Sequence, residues 1–216
     1  LRTWVLAEVA PYLPEGLQAE TLAAICAIGP GVFRYEALAA LAPYLSERQL
    51  AKSLTAACAI GNEWDCSQEL AALAPYLPES LLTEALAAAR AIGNAQYRSW
   101  ALADLAPYLL ESLLTEALVA ARAIGNEEAR YKALAALAPH LPEAERRDVL
   151  AEALTAVRAI KNEQDRSWAL AALAPQLLEE ERVAILAEAL AAARAIENEQ
   201  DRSRALAVLA LHLPEE

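Results

Sequence analysis

The apolar positions of this chain recur on a fixed beat. In the stretch 94–109, Leu102, Leu105 and Leu109 stand at i, i+3 and i+7, the buried stripe of an amphipathic helix. In the preceding stretch Leu82, Leu86 and Ala89 stand at i, i+4 and i+7 and mark a second helix. The same two stripes return along the whole chain. Leu-Ala-Pro-Tyr-Leu occurs at 41–45, 73–77 and 105–109, with variants at 9–13, 137–141, 173–177 and 209–213. Its proline falls at 11, 43, 75, 107, 139 and 175, and Leu211 takes its place in the last copy. These positions are spaced by 32, 32, 32, 32, 36 and 36 residues. An Ala-Ile pair keeps the same time at Ile28, Ile60, Ile92, Ile124, Ile160 and Ile196. Both four-residue insertions fall between the proline and the Ala-Ile. Four residues are about one helical turn, so they lengthen a helix without rotating its apolar face.

Polar residues and helix breakers supply the punctuation. Asn94 is a good N-cap for the first helix of a unit, and the acids after its counterparts (Glu127, Glu128, Glu163, Asp165) suit the positive end of the helix dipole. Pro107 lies late in that helix and predicts a kink or a loosened last turn. Pro14, Pro78 and Pro142 end the first helix and are expected to open the second as its first residue. Gly29, Gly61, Gly93 and Gly125 are expected to end the second helix in the left-handed conformation. Lys161 and Glu197 replace that glycine in the two longer units.

The expectation is therefore an all-α chain of thirteen helices, seven of the first kind and six of the second. They form an α-α superhelix (solenoid) of about six and a half two-helix repeats of 32–36 residues, in which stacked neighbours build a continuous core. Residues 1–216 form one repeat domain, and the abrupt ends, without polar capping units, are read as those of a piece of a longer array. The exposed end helices then favour end-to-end self-association. The proline-punctuated helix pair resembles the tetratricopeptide and HEAT-like class of α-solenoids, although the Trp-x-x-Leu-Gly-x-x-Tyr opening of tetratricopeptide repeats is missing. The units EALAAARAIGN and ALAPYLPE are similar to arrays of large bacterial signalling NTPase proteins. That resemblance implies a sensing or assembly arm behind a nucleotide-binding switch domain.

Composition agrees with helices: 54 alanines and 38 leucines account for 92 of the 216 residues, with six glycines and one phenylalanine. The charge matters more for function. Eighteen basic against thirty acidic residues give a net charge of −12, which argues against nucleic acid and against an anionic membrane surface. The longest uncharged stretch, 21–33, is thirteen residues broken by Gly29, Pro30 and Gly31, too short to span a bilayer. No basic-then-apolar leader opens the sequence, and a cytoplasmic location is expected.

Aligning the copies on the proline isolates the variable positions. Seven before it stand Trp4, Glu36, Gln68, Trp100, Lys132, Trp168 and Arg204. Three before it Asp104 and Glu8 interrupt small residues, and one after it stand Tyr12, Tyr44, Tyr76, Tyr108, His140, Gln176 and His212. The i, i+4, i+8 spacing puts all three on one helix face. Aromatics with an occasional charge are what interface hot spots use. Trp4, Tyr12, Tyr44, Tyr76, Trp100, Asp104, Tyr108, Lys132, His140 and Trp168 are thus the candidate groove for a protein or peptide partner, unless they only pack over neighbouring alanines or face solvent.

Two arginine series keep the beat: Arg34, Arg98, Arg130, Arg166 and Arg202 before the proline, and Arg90, Arg122, Arg158 and Arg194 before the isoleucine. With Glu84, Glu116, Glu152 and Glu188 they predict ion pairs between repeats and contacts to turn carbonyls. Cys26, Cys58 and Cys66 stand at such arginine positions and are expected to be free thiols. Neither a zinc-ligand spacing nor a phosphate loop occurs, and His140 and His212 are two units apart. No metal, cofactor or catalysis is expected. The chain reads as a non-catalytic interaction scaffold or ligand-sensing repeat domain of a larger signalling protein. The alternative is a purely structural or consensus-like array without a ligand.

Overall fold

The repeat's punctuation residues decide where its helices begin and end. The structure, a computed structural model, describes residues 9, 12–27, 31–59 and 61–210. Twelve α-helices lie among them: α1 (Glu15–Cys26), α2 (Val32–Leu41), α3 (Glu47–Cys58), α4 (Glu63–Leu73), α5 (Glu79–Ala91), α6 (Ala95–Leu105), α7 (Glu111–Arg122), α8 (Glu127–Leu137), α9 (Glu143–Arg158), α10 (Glu163–Leu173), α11 (Glu179–Ala195) and α12 (Glu199–Ala210). No strand occurs among the described residues. The first of the thirteen expected helices, with Trp4, falls outside them.

Asparagine starts five of the described first helices, α4, α6, α8, α10 and α12, as its sequence position implies, while Gly31 stands at that place before α2. Asn94 Oδ1 accepts the amides of Gln96 and Tyr97 at 2.9 and 3.1 Å, and Asn162 repeats the arrangement on Gln164 and Asp165. Proline then loosens the end. Ala42–Tyr44, Ala74–Tyr76, Ala106–Tyr108, Ala138–His140 and Ala174–Gln176 are 3₁₀ turns, each following directly on an α-helix. A proline nitrogen has no hydrogen to give the i−4 carbonyl, so the last turn tightens and the chain leaves the helix axis. Pro78 and Pro142 stand one residue ahead of the second helix, at its N-cap, and their carbonyls accept the first helical bonds, from Leu81 and Arg146. They are thus not the first helical residue that their spacing suggests.

The glycine expectation is corrected in part. Gly61 has φ of 72°, but Gly93 and Gly125 do not take positive φ, and Gly29 lies outside the described residues. The reason is that another group satisfies these helix ends. The guanidinium of Arg98 donates to the carbonyls of Ile92 (2.7 Å) and Gly93 (3.3 Å), and Arg130, Arg166 and Arg202 reach Ile124, Ile160 and Ile196 in the same way. With the turn held from the following helix, no left-handed residue is needed, which is why Lys161 and Glu197 are tolerated there. Gly93 has a spatial role instead. Glu63 accepts the Gly93 and Asn94 amides, both at 2.8 Å, and a Cβ on Gly93 would meet its Oε1 at 2.8 Å.

The packing resolves into two compact units, residues 1–120 and 121–216. In the first, α2, α4 and α6 lie side by side, as do α1, α3 and α5; in the second, α8, α10 and α12 form the row against which α9 and α11 pack. Each unit is thus an array of two-helix repeats in which neighbours pack on neighbours. Alanine lines the seams: Ala37, Ala101, Ala133, Ala169 and Ala205, one repeat position, are all buried, and so are Ala85, Ala89, Ala117 and Ala153 on the second helices. Leu70, Leu102, Leu134 and Leu170 fill the space between. The expected ion-pair ladder links second helices, with Arg90 to Glu116 at 2.9 Å, Arg122 to Glu152 at 2.8 Å and Arg158 to Glu188 at 2.9 Å.

The two arginine series should differ in weight. Arg122 and Glu152 are 44% and 41% exposed. Arg122→Ala should cost only ~0.2–1 kcal/mol, as exposed pairs do. Arg130 is half-buried and holds a turn carbonyl at 3.0 Å. Arg130→Ala should cost about 1.5–3 kcal/mol, because a bond from a charged donor is lost and the carbonyl is left without it. Urea unfolding of the two variants checks the order, and equal losses would contradict it.

Candidate functional site

The 3₁₀ turns made by proline present the tyrosine that follows. Tyr44, Tyr76 and Tyr108 sit at the same place in three successive turns and are 40%, 40% and 39% exposed. That near-identity follows from one backbone solution repeated. Leu45, Leu77 and Leu109 next to them are buried and pin each turn to the core. Glu47, three residues past Tyr44, accepts the hydroxyl of Ser80, four past Tyr76, so consecutive turns also stand close together. The three tyrosines are therefore open beside an anchored leucine, and Tyr12 in the preceding copy is 83% exposed.

The other candidate positions are less available. Trp100 is half-buried and packs on Tyr97 of its own helix, with ring centroids 5.5 Å apart and planes tilted by 48°. Asp104 is exposed as a residue, yet partial desolvation holds its carboxyl above the usual carboxylate range. In the second unit, Lys132 Nζ is held by Glu128, one turn earlier, at 2.6 Å. His140 is exposed on its turn and Trp168 is 38% exposed. Trp4 lies outside the described residues. The structure thus gathers Tyr44, Tyr76 and Tyr108 into one series and occupies Trp100 and Lys132 with contacts in their own helices.

The chain matches no protein-family model and no curated protein. Among the described residues no helix is long and apolar enough to cross a membrane, and no group of three or more His, Cys, Asp or Glu side chains is placed to hold a metal.

One cluster was not singled out from the sequence. Glu69 occupies the position where five other copies carry buried alanine, and it is 2% exposed. Arg34 of the preceding repeat, 6% exposed, meets it with Nε to Oε1 at 2.8 Å, and also donates to the Cys26 carbonyl at 3.3 Å. Asp65, one turn before Glu69 and 2% exposed, has an Oδ1 with no hydrogen-bond partner. Two buried carboxyl groups therefore lie within electrostatic reach of each other, with one buried guanidinium beside Glu69. Burial pushes the Glu69 carboxyl up to about 7, with the nearby Asp65 adding to the shift and Arg34 opposing it. Burial also raises the thiol of Cys26, whose side chain is free and half-buried; Cys66 is buried, and the Cys58 side chain lies outside the described residues. The alignment carried the signal, since an acid replaces alanine at Glu69 and cysteine replaces arginine at Cys66 in the same repeat.

The cluster makes stability depend on pH with a definite sign. A carboxyl raised from 4.5 to about 7 on folding binds its proton more tightly in the folded chain. Stability is then highest at and below the unfolded value, falls as pH rises through that interval, and levels off above about pH 7. At ~1.4 kcal/mol for each tenfold change in proton affinity, the span is on the order of 3 kcal/mol. Glu69→Gln keeps an acceptor for Arg34 and should flatten the profile between pH 5 and about 8. Unfolding of the wild type and this variant across that range is the check; parallel profiles would refute the assignment.

Proposed function

We propose that this chain is a non-catalytic interaction module, an α-solenoid of the tetratricopeptide and HEAT-like class acting as the partner-binding arm of a larger cytoplasmic signalling protein. The observation that carries this reading is the tyrosine series of the first unit. Three large amphipathic side chains stand at matching exposure on equivalent 3₁₀ turns, each followed by a buried leucine. Fixed aromatics lose little side-chain freedom when a partner covers them, and Tyr is among the residues that dominate interface energies. The occupant that fits a regular row of side chains is an extended segment of a protein or a peptide.

A second reading, a purely structural array, is favoured by the contacts already spent within the repeats. Trp100 stacks on Tyr97, and Lys132 is bound to Glu128. Selection of peptides from a random display library on the intact chain separates the two. Peptides selected on the wild type should bind the triple variant Tyr44→Ala, Tyr76→Ala, Tyr108→Ala at least about 30-fold more weakly, the effect of losing one hot spot of ~2 kcal/mol. Folding should be little affected, because surface substitutions usually stay within about 0.5 kcal/mol. No enrichment, or equal binding to the triple variant, would leave the structural array as the correct reading.

A further inference from the structure

Every second helix of the first unit opens on an acid, three residues past the tyrosine position. Glu15, Glu47, Glu79 and Glu111 are the first residues of α1, α3, α5 and α7, and they follow Tyr12, Tyr44, Tyr76 and Tyr108 at i+3. All eight residues are exposed. The tyrosine series therefore runs beside an acid series, one of each per repeat. None of the four acids forms an ion pair with a described residue. Ser80 donates to one oxygen of Glu47 and leaves its charge uncompensated. Within four residues of these acids the sequence has a single cation, Arg48. Residues 1–120 as a whole carry thirteen acidic against six basic residues.

The second unit lacks both halves of this arrangement. His140 and Gln176 replace the tyrosine. The equivalent acids are faced by arginines of their own helices, Glu143 by Arg147 at 3.1 Å and Arg146 at 3.8 Å, and Glu179 by Arg182 at 3.6 Å. An open acid thus goes with the tyrosine, and a neutralised acid goes with its absence. The helix dipole favours an acid at this place in every copy, so it does not account for the partition. Each helix end carries roughly half a positive charge, less than the full charge of the carboxylate, and the four open sites stay negative.

A partner for such a row needs a cation at each repeat, and stacked helices recur at about 8–10 Å. A polyproline II segment rises about 9 Å in a turn of three residues, so every third side chain points the same way. Aromatic surfaces receive such segments well, because the conformation is formed before binding and loses little freedom. A guanidinium over a tyrosine ring gains from the ring as well as from a nearby carboxylate. Resting on the reading of the tyrosine series as a docking face, we propose that the first unit binds an extended basic segment of a partner protein, held in polyproline II conformation with arginine at every third residue. Each guanidinium sits at the tyrosine and glutamate of one repeat.

Fluorescence anisotropy of labelled twelve-residue peptides, titrated with the full chain, tests the proposal. Four Arg-Pro-Pro units in series are expected to bind saturably, and four Ala-Pro-Pro units at least about tenfold more weakly, since several modest ion pairs are lost together. An isomer with its four arginines in one block has the same charge. It should bind at least about fivefold more weakly, because only the spaced peptide meets successive repeats at once. Combining Glu47→Gln, Glu79→Gln and Glu111→Gln should weaken the spaced peptide about tenfold. Glu143→Gln with Glu179→Gln should match the wild type, and circular dichroism checks that both variants fold. The peptide comparison on the wild type holds whether or not a variant folds. Failure of the spaced arginine peptide to saturate, equal binding of the block isomer, or a folded triple glutamate variant that binds like the wild type would each overturn the proposal. Equal binding of the alanine peptide, lost in the triple tyrosine variant, would overturn it while leaving the docking face standing.

Discussion

A two-helix unit cannot bury its own apolar stripe, and the constraint that organises this protein is how closely neighbouring units can approach to do it together. Alanine sets that approach. At Ala37, Ala101, Ala133, Ala169 and Ala205 the seam carries only a methyl group, and every one is buried. Small side chains let helix axes approach toward the low end of the ~8–10 Å packing range. The leucines then fill what remains between the rows.

The connections obey the same constraint. The turn between paired helices leaves part-buried carbonyls, and an arginine from the next helix reaches back to take them. This cross-brace makes the turn depend on the helix that follows it, and relieves the turn residue of any special backbone conformation. It also separates two kinds of arginine that look alike in sequence. One series closes turns, while the other bridges exposed second helices and is weakly held in water.

Chemistry appears where the repeat is broken. An acid at an alanine position forces a guanidinium and a second carboxyl group into the core of the first unit, and the burial of that set is what ties its proton affinity to folding. An added turn in two successive second helices of the second unit brings Glu143, Arg146 and Glu181 to the wall of a cavity. Where the repeat is regular, in contrast, the proline turn displays its tyrosine identically three times.

The helices, their order, their asparagine starts and their proline ends were legible in the sequence, because each depends on local residue chemistry repeated from unit to unit. The two arginine series and their partner types were legible too, since an opposite charge kept the same beat on the adjacent element. What the tertiary structure alone decided were the matters of distance and enclosure. Gly93 and Gly125 looked like left-handed caps until the reach of Arg98 and Arg130 made that conformation unnecessary. Trp100 and Lys132 stood on the variable face, but only the packing showed their contacts within their own helices. Glu69 was not singled out in the sequence, although it stands where other copies have alanine, and its burial against Arg34 and near Asp65 came from the packing. Periodicity assigns a residue to a face; it does not say what the neighbouring unit places opposite, and burial, hydrogen bonding and charge are all set by that neighbour.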